Sequence, residues 1–399
     1  MEHAGPLSGI RVLELSLALT GPYIGALFAD QGADVVKVER PDIGDILRWI
    51  GPSVNGLSAV FRVCNRGKKS IAVDVRTDAG REIALELAAQ ADVVIQNFRP
   101  GVADRLGLGY DDVVAVNPPD VVYTSLTGFG EVGPYRDRSA YDTVIQAYGG
   151  VASSQASPDV GEPIFLQQVI ADKVTALYAS QAVTAALFAR ASGRGGQHVH
   201  VSMVDAVVSF LWTDAAGNEV LLDSDNSQPS SFTLGFKPFR FIDGWGVVTP
   251  ISDSDFTGMC RCLDAPGADD PRLRTAELRN QHRPLMAEVM AACYAGAEKL
   301  TVRQATERFE AADVPYAMIV PPTELPDDPH AIAMGLFEER DDPVVGRVRI
   351  PRHPAIFDGT PAQLAGPAPK LGEHTREVLD IVGRAHQEDT LRGGSGVIA

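Results

Sequence analysis

Asp172 is the residue of this chain whose setting most suggests chemistry. It stands just ahead of a long Ala-rich segment in which Val174, Leu177, Tyr178, Ala182, Ala185 and Ala186 recur at helical spacing, so it falls at or near a helix N-terminus. Gly193-Arg194-Gly195-Gly196 supplies the stop, and His198-Val199-His200-Val201 then alternates like a strand. At a helix N-terminus, unpaired N–H groups and the macrodipole favour an ionised carboxylate and can steady an oxyanion formed beside it. Asp is equally a preferred N-cap, and for an acid taken alone capping is the commoner role.

The second group with chemical potential is a set of arginines at predicted strand ends. Apolar runs at 7–15, 33–39, 70–75, 92–97 and 121–127 read as strands, with helices from Gly21-Pro22 to about residue 30 and over 78–90. Strands alternating with helices predict right-handed βαβ units and a doubly wound, Rossmann-like parallel α/β sheet, in which ligands lie beyond the carboxyl ends of the strands. Those positions hold Arg40, Arg76, Asn97-Phe98-Arg99-Pro100-Gly101 and, one turn on, Arg105. Guanidinium groups grip phosphate through paired hydrogen bonds, so the set is a candidate phosphate site. Neither G-x-G-x-x-G after the first strand nor a Walker sequence is present, which leaves dinucleotide and ATP readings without a motif.

The totals narrow the classes. With 399 residues, 22% charged and 45% hydrophobic, the chain suits a globular protein of two or three structural units. A net charge of −17 argues against nucleic-acid or anionic-membrane partners, because both need clustered basic surface. Cys64, Cys260, Cys262 and Cys293 form neither a disulfide framework nor a zinc spacing, so reduced core thiols and no metal site are expected. The first residues lack the features of a signal peptide and no apolar run spans a bilayer, which predicts a cytoplasmic protein.

These blocks together resemble the family III CoA-transferases, the CaiB/BaiF group. The resemblance rests on Asp172, Thr175, Gly193 to Gln197, Val199-His200-Val201-Ser202-Met203 and Asp205-Ala206, and on the blocks at 6–14, 32–40, 65–74 and 97–101. Further matches run through 328–330, 335–337, 346–348 and 367–375. It implies CoA transfer from an acyl-CoA donor to a carboxylic acid acceptor through a mixed anhydride and an aspartyl-CoA thioester on Asp172. It also implies coenzyme A as substrate with no tightly bound cofactor, a CoA site drawn from Arg40, Val73, Arg76, Asn97, Phe98, Arg99 and Arg105, and an interlocked homodimer.

The resemblance implies a large domain (1–212), a small α+β domain (232–325) and a return segment (326–385), while clustered Asn, Asp, Ser and Gln predict a linker (213–231) and polar residues with Gly393-Gly394-Ser395-Gly396 predict a flexible tail (386–399). His374, after a Pro-rich loop at a predicted helix start, reads as a cap or packing residue. Three departures matter for the substrate. The loop ending at Leu19 is apolar where relatives often place Gln, Ser139 stands where a formyl-CoA transferase has Lys, and no G-G-G-G-Q covering loop exists, with Gln228-Pro229-Ser230-Ser231 in that region. Leu19, Ser139 and Tyr141 are therefore the acyl-pocket candidates, and a formyl or oxalate substrate is disfavoured. The alternatives are a non-catalytic CoA-binding protein or an acyl-CoA racemase resembling alpha-methylacyl-CoA racemase. The racemase would require a base at Tyr141, where a phenol of pKa near 10 replaces an imidazole.

Overall fold

Alternation of apolar residues along each strand divides the large unit into two cores. The computed structural model describes residues 5–117, 120–156, 161–223, 237–393 and 397–398. The chain divides into one unit of Met1–Phe232 with Gly335–Ala399 and another of Thr233–Met334. In the first, strands β1 (Arg11–Glu14), β2 (Asp34–Glu39), β3 (Lys69–Ala72), β4 (Val93–Gln96), β5 (Val122–Thr127) and β6 (Gln197–Ser202) form a parallel sheet in the order β3-β2-β1-β4-β5-β6. That is the doubly wound order, with its reversal between β1 and β4.

Helices α1 (Thr20–Asp30), α2 (Ala59–Asn65), α3 (Asp78–Ala88), α4 (Asp142–Tyr148), α5 (Ile170–Ala189) and α6 (Met203–Trp212) belong to the same unit. Val12, Val35, Val93 and Val122 face α1 and α5 through Ile24, Phe28, Ala176, Ala179 and Val183, while Leu13, Val36 and Val94 face α3 through Ile83 and Leu87. Because α5 leads into β6, its first turn lies at the carboxyl edge of the sheet. The first turn of α1, which follows β1, lies at that edge too. The small residues Ala176 and Ala179 allow α1 and α5 to pack against each other there.

The second unit has a three-stranded antiparallel sheet of β7 (Phe239–Arg240), β8 (Trp245–Val248) and a later strand, packed with α7 (Asp253–Cys262), α8 (Arg283–Ala297) and α9 (Val302–Ala311). That later strand, β9 (Tyr316–Met318), pairs with β8. All four cysteines are free and buried. The second unit extends to Met334, so residues 326–334, read from sequence as the start of the return segment, fall within it. Of the stretch read as a linker, 213–223 includes a helical turn, Gly217–Val220, and 224–231 lies outside the described residues.

The return begins with a hairpin, β10 (Phe337–Asp342) and β11 (Gly346–Pro351), which the buried Arg62–Asp342 pair ties to α2. It continues to α10 (Thr375–Ile381), where His374 donates its N–H to the Ser70 carbonyl (3.0 Å) and accepts from the Ser70 N–H at Nδ1 (3.3 Å). His374 is thus a packing residue fastening the return to β3. The described parts of the tail expected to be flexible are ordered instead: Glu388–Gly393 form α11, and Val397 and Ile398 are both buried, with Ile398 bridged to Val73. Their apolar burial outweighs the freedom that the preceding glycines suggested.

Beneath the switch point lies a buried ionic cluster. Glu14, at the end of β1, accepts from Lys37 Nζ (2.8 Å) and Lys68 Nζ (2.7 Å), and Lys37 also meets Asp45 at 2.9 Å. Burial opposes the charge on Glu14, but the two ammonium groups outweigh it and hold its carboxyl below the usual range. Burial pushes Lys68 down to about 8, against the pull of Glu14. A Cβ at Gly25 would stand 2.2 Å from Glu14 Oε2, so α1 approaches this cluster only with glycine there.

Removing one member leaves a buried charge unpaired. Lys37→Met should lower unfolding free energy by roughly 3–5 kcal/mol in urea denaturation. The matching control, Arg303→Ala in an exposed pair with Glu307, should show no measurable change.

Candidate active site

The loop after β1 is held at three points. Asn97, following β4, accepts from Leu17 N–H at Oδ1 (2.8 Å) and donates from Nδ2 to the Leu17 carbonyl (2.6 Å), bridging the switch point. Ala18 adopts a left-handed backbone (φ 62°) and donates its N–H to Asp45 Oδ1 at 3.0 Å. Asp45 is in turn the partner of Lys37. Lys37 also donates to the Ser16 carbonyl at 2.8 Å. The buried cluster therefore sets where α1 begins.

Thr20, first residue of α1, donates its hydroxyl to Asp172 Oδ1. Asp172 is the third residue of α5, with Val169 in the N-cap position, so it does not cap the helix. Its own N–H donates to Asp142 Oδ2 (3.1 Å). Asp142 is buried in the first turn of α4 and accepts at Oδ1 from Gln146 Nε2 (2.5 Å) one turn later. Gln146 also accepts from Leu166 N–H and donates to the Gln168 carbonyl, fixing the chain as it enters α5. Thr175 bonds back to the Ala171 carbonyl (2.7 Å) and is buried, so its role is within the helix.

Two helix first turns thus converge on one carboxylate. Burial pushes Asp172 up to about 6, while the Thr20 hydroxyl and N–H pull the other way and the Asp142 carboxylate adds to the rise. The result is a desolvated carboxylate that still ionises at neutral pH.

The expected CoA residues are distributed around this edge. Arg40 and Arg76 are exposed at the ends of β2 and β3, paired with Asp42 and Asp74 at 2.7 Å each. Val73 is buried, and Phe98 packs partly against the core of the sheet's α3 face. Arg99 donates to Ser139 Oγ at 2.7 Å and lines a cavity of about 260 Å³ together with Gln96, Phe98, Thr127, Glu131, Arg136 and His198. Arg105 is exposed on the turn Val102–Arg105. Of the acyl-pocket candidates, Tyr141 is 70% exposed at the start of α4, whereas Leu19 is buried against Leu47, Leu57 and Phe61. Gln228 to Ser231, the region considered for a covering loop, lies outside the described residues. Thr20 and Asp142 were missed from sequence. The one local sign was a hydroxyl residue directly before the Gly21-Pro22 helix start.

Residues 7–375 match the sequence model of CoA-transferase family III. The chain belongs to CoA-transferase family III. Among family III relatives, the succinate–glutarate CoA-transferase of Agrobacterium fabrum is 34% identical, with 94% of this chain and 95% of that protein covered. The succinyl-CoA:glutarate CoA-transferase of Mus musculus is 32% identical, with coverage of 94% and 86%. The crystal structure of a CAIB/BAIF family protein from Brucella suis superposes with a TM-score of 0.81 at 32% identity, covering 95% of this chain and all of that one. No helix among the described residues is long and apolar enough to cross a membrane.

The raised pKa has a thermodynamic consequence. Since Asp172 titrates at about 6 in the fold against 3.8 when unperturbed, its ionisation opposes folding, and stability falls as pH rises through that window. At pH above the window, Asp172→Asn should be more stable than the parent by of order 1–3 kcal/mol, at ~1.4 kcal/mol per pKa unit. The gain should vanish at pH below it, as read by denaturant titration at both ends. Thr20→Val should move the parent's midpoint upward, because the hydroxyl holds it down.

Proposed function

We propose that this chain moves coenzyme A from an acyl-CoA donor to a carboxylic acid acceptor, with Asp172 as nucleophile. The observation that carries the reading is the Asp172 carboxylate held by Thr20 where the first turns of α1 and α5 meet, at the sheet's switch point. An Asp172 oxygen attacks the thioester carbonyl, expelling CoA thiolate and forming a mixed anhydride. The thiolate then attacks the Asp172 acyl carbon, releasing the donor acid with that oxygen and leaving an aspartyl-CoA thioester. The acceptor carboxylate displaces the thiolate to form a second anhydride. The thiolate finally takes the acceptor's acyl group, and Asp172 is left with an oxygen from the acceptor.

Each oxyanion forms beside first-turn N–H groups, which stabilise developing negative charge. The relatives' action on succinyl-CoA and glutarate supports short dicarboxylic acids as the substrate class. For CoA itself we assign the phosphates to Arg40, Arg76, Arg99 and Arg105, and the adenosine to Val73, Asn97 and Phe98. Phosphate binding at Arg40 and Arg76 would displace Asp42 and Asp74. A homodimer is supported by apolar side chains left exposed on α5 and α6, namely Leu177, Tyr178, Phe188, Phe210 and Trp212. Tyr141 is an exposed phenol, and no cation among the described residues is bonded to its hydroxyl to favour a phenolate, so the racemase reading has no observation of its own.

Asp172→Ala should reduce transfer from succinyl-CoA to glutarate by about a thousandfold or more while CoA still binds, and Arg40→Ala and Arg105→Ala should raise KM for acyl-CoA more than they lower kcat. Steady-state kinetics with calorimetric CoA titration checks both. Near-parental turnover in the Asp172 variant contradicts the nucleophile, and unchanged KM in both arginine variants contradicts the phosphate placement.

A further inference from the structure

His198 and Glu131 line the cavity that also holds Phe98 and Arg99, but neither they nor His200 are given a role in the reading above. Alternation along β6 puts both side chains on one face of the sheet's edge strand, with ring centroids 3.7 Å apart. Glu131, on the loop after β5, reaches the same place and sets Oε1 3.1 Å from His200 Nδ1. The three side chains each place one donor atom within 4.8 Å of the others. With metal bonds of about 2.0–2.1 Å, neighbouring donors of a tetrahedral site stand roughly 3.3 Å apart. The His200–Glu131 spacing already matches, and the third donor needs a closure of about one bond length at most.

His198 is oriented as metal-binding imidazoles usually are, by a partner on its other face. Its Nε2 shares a hydrogen bond with Ser125 Oγ (2.8 Å), which accepts from Gln96 Nε2 (2.9 Å). Tyr110 stacks on the ring at 4.5 Å and Tyr123 meets it edge-on. His200 and Glu131 are about half exposed, 48% and 41%, which leaves an open approach.

We propose that Glu131, His198 and His200 form a site for a borderline divalent transition metal such as Zn²⁺. Two imidazole nitrogens with one carboxylate favour such ions over Mg²⁺ or Ca²⁺, which take oxygen ligands. Bound there, the ion ties the loop after β5 to the edge strand β6, and three protein ligands leave at least one coordination position open. The competing arrangement is the direct His200–Glu131 contact alone, without metal.

The test uses the untagged full chain, stripped with EDTA and dialysed, titrated with zinc chloride by calorimetry near neutral pH. The expected result is one ion per chain with Kd of about 10 µM or tighter, weakened at least about tenfold by His200→Ala and by Glu131→Gln. In zinc-soaked crystals, anomalous scattering should place the ion between the three side chains, a readout that does not depend on the variants folding. Absence of one-to-one binding, binding indifferent to both substitutions, or an ion located elsewhere overturns the proposal.

Discussion

Glu14 is the charge on which the site rests. Taken out of water at the end of β1, its carboxylate is held between the ammonium groups of Lys37 and Lys68. Lys37 carries the constraint to Asp45, and Asp45 carries it to the N–H of Ala18, whose left-handed backbone turns the chain into α1. Burying so many charges brings little net stability compared with an apolar core, because desolvation consumes most of the Coulomb attraction. What the cluster supplies is position. A loop at the switch point is otherwise the part of a doubly wound sheet freest to move, and here it is fixed from below by ion pairs and from the side by Asn97.

The position matters because Asp172 is in an environment that disfavours its charge. Burial raises its pKa, and its acidic neighbour Asp142 raises it further. The opposing contact is Thr20, placed by the start of α1. In the proposed mechanism a carboxylate with few solvating groups is a stronger nucleophile than one in water, and the same exclusion of water would protect an anhydride from hydrolysis. The fold therefore accepts a local loss of stability at Asp172, and the two apolar cores of the large unit offset it.

Much of this was legible in the residues. The period-two and helical patterns specify strands, helices and a parallel sheet, and Asp172 stands out through its Ala-rich helix and the glycine stop. The partners of Asp172 were hidden because they are remote in the chain. Thr20 is 152 residues away and Asp142 is 30, and only the packing of α1 and α4 on α5 brings them in. The strand-end arginines were legible as cations, but counting guanidinium groups overlooked Asp42 and Asp74, close enough in sequence to pair with them. The tail misled in the opposite direction. Glycines suggested fraying, whereas the terminal Val397 and Ile398 had an apolar site beside β3 that no local pattern reveals.

The central claim, that Asp172 itself carries the acyl and CoA groups, is tested most directly by following oxygen. The enzyme would be incubated with acyl-CoA donor and an acceptor acid whose carboxylate is labelled with heavy oxygen, then digested and its peptides weighed. The account predicts one labelled oxygen in the peptide containing Asp172, retained from the second anhydride after turnover. Turnover that leaves this peptide unlabelled, or that labels a different residue, would contradict it.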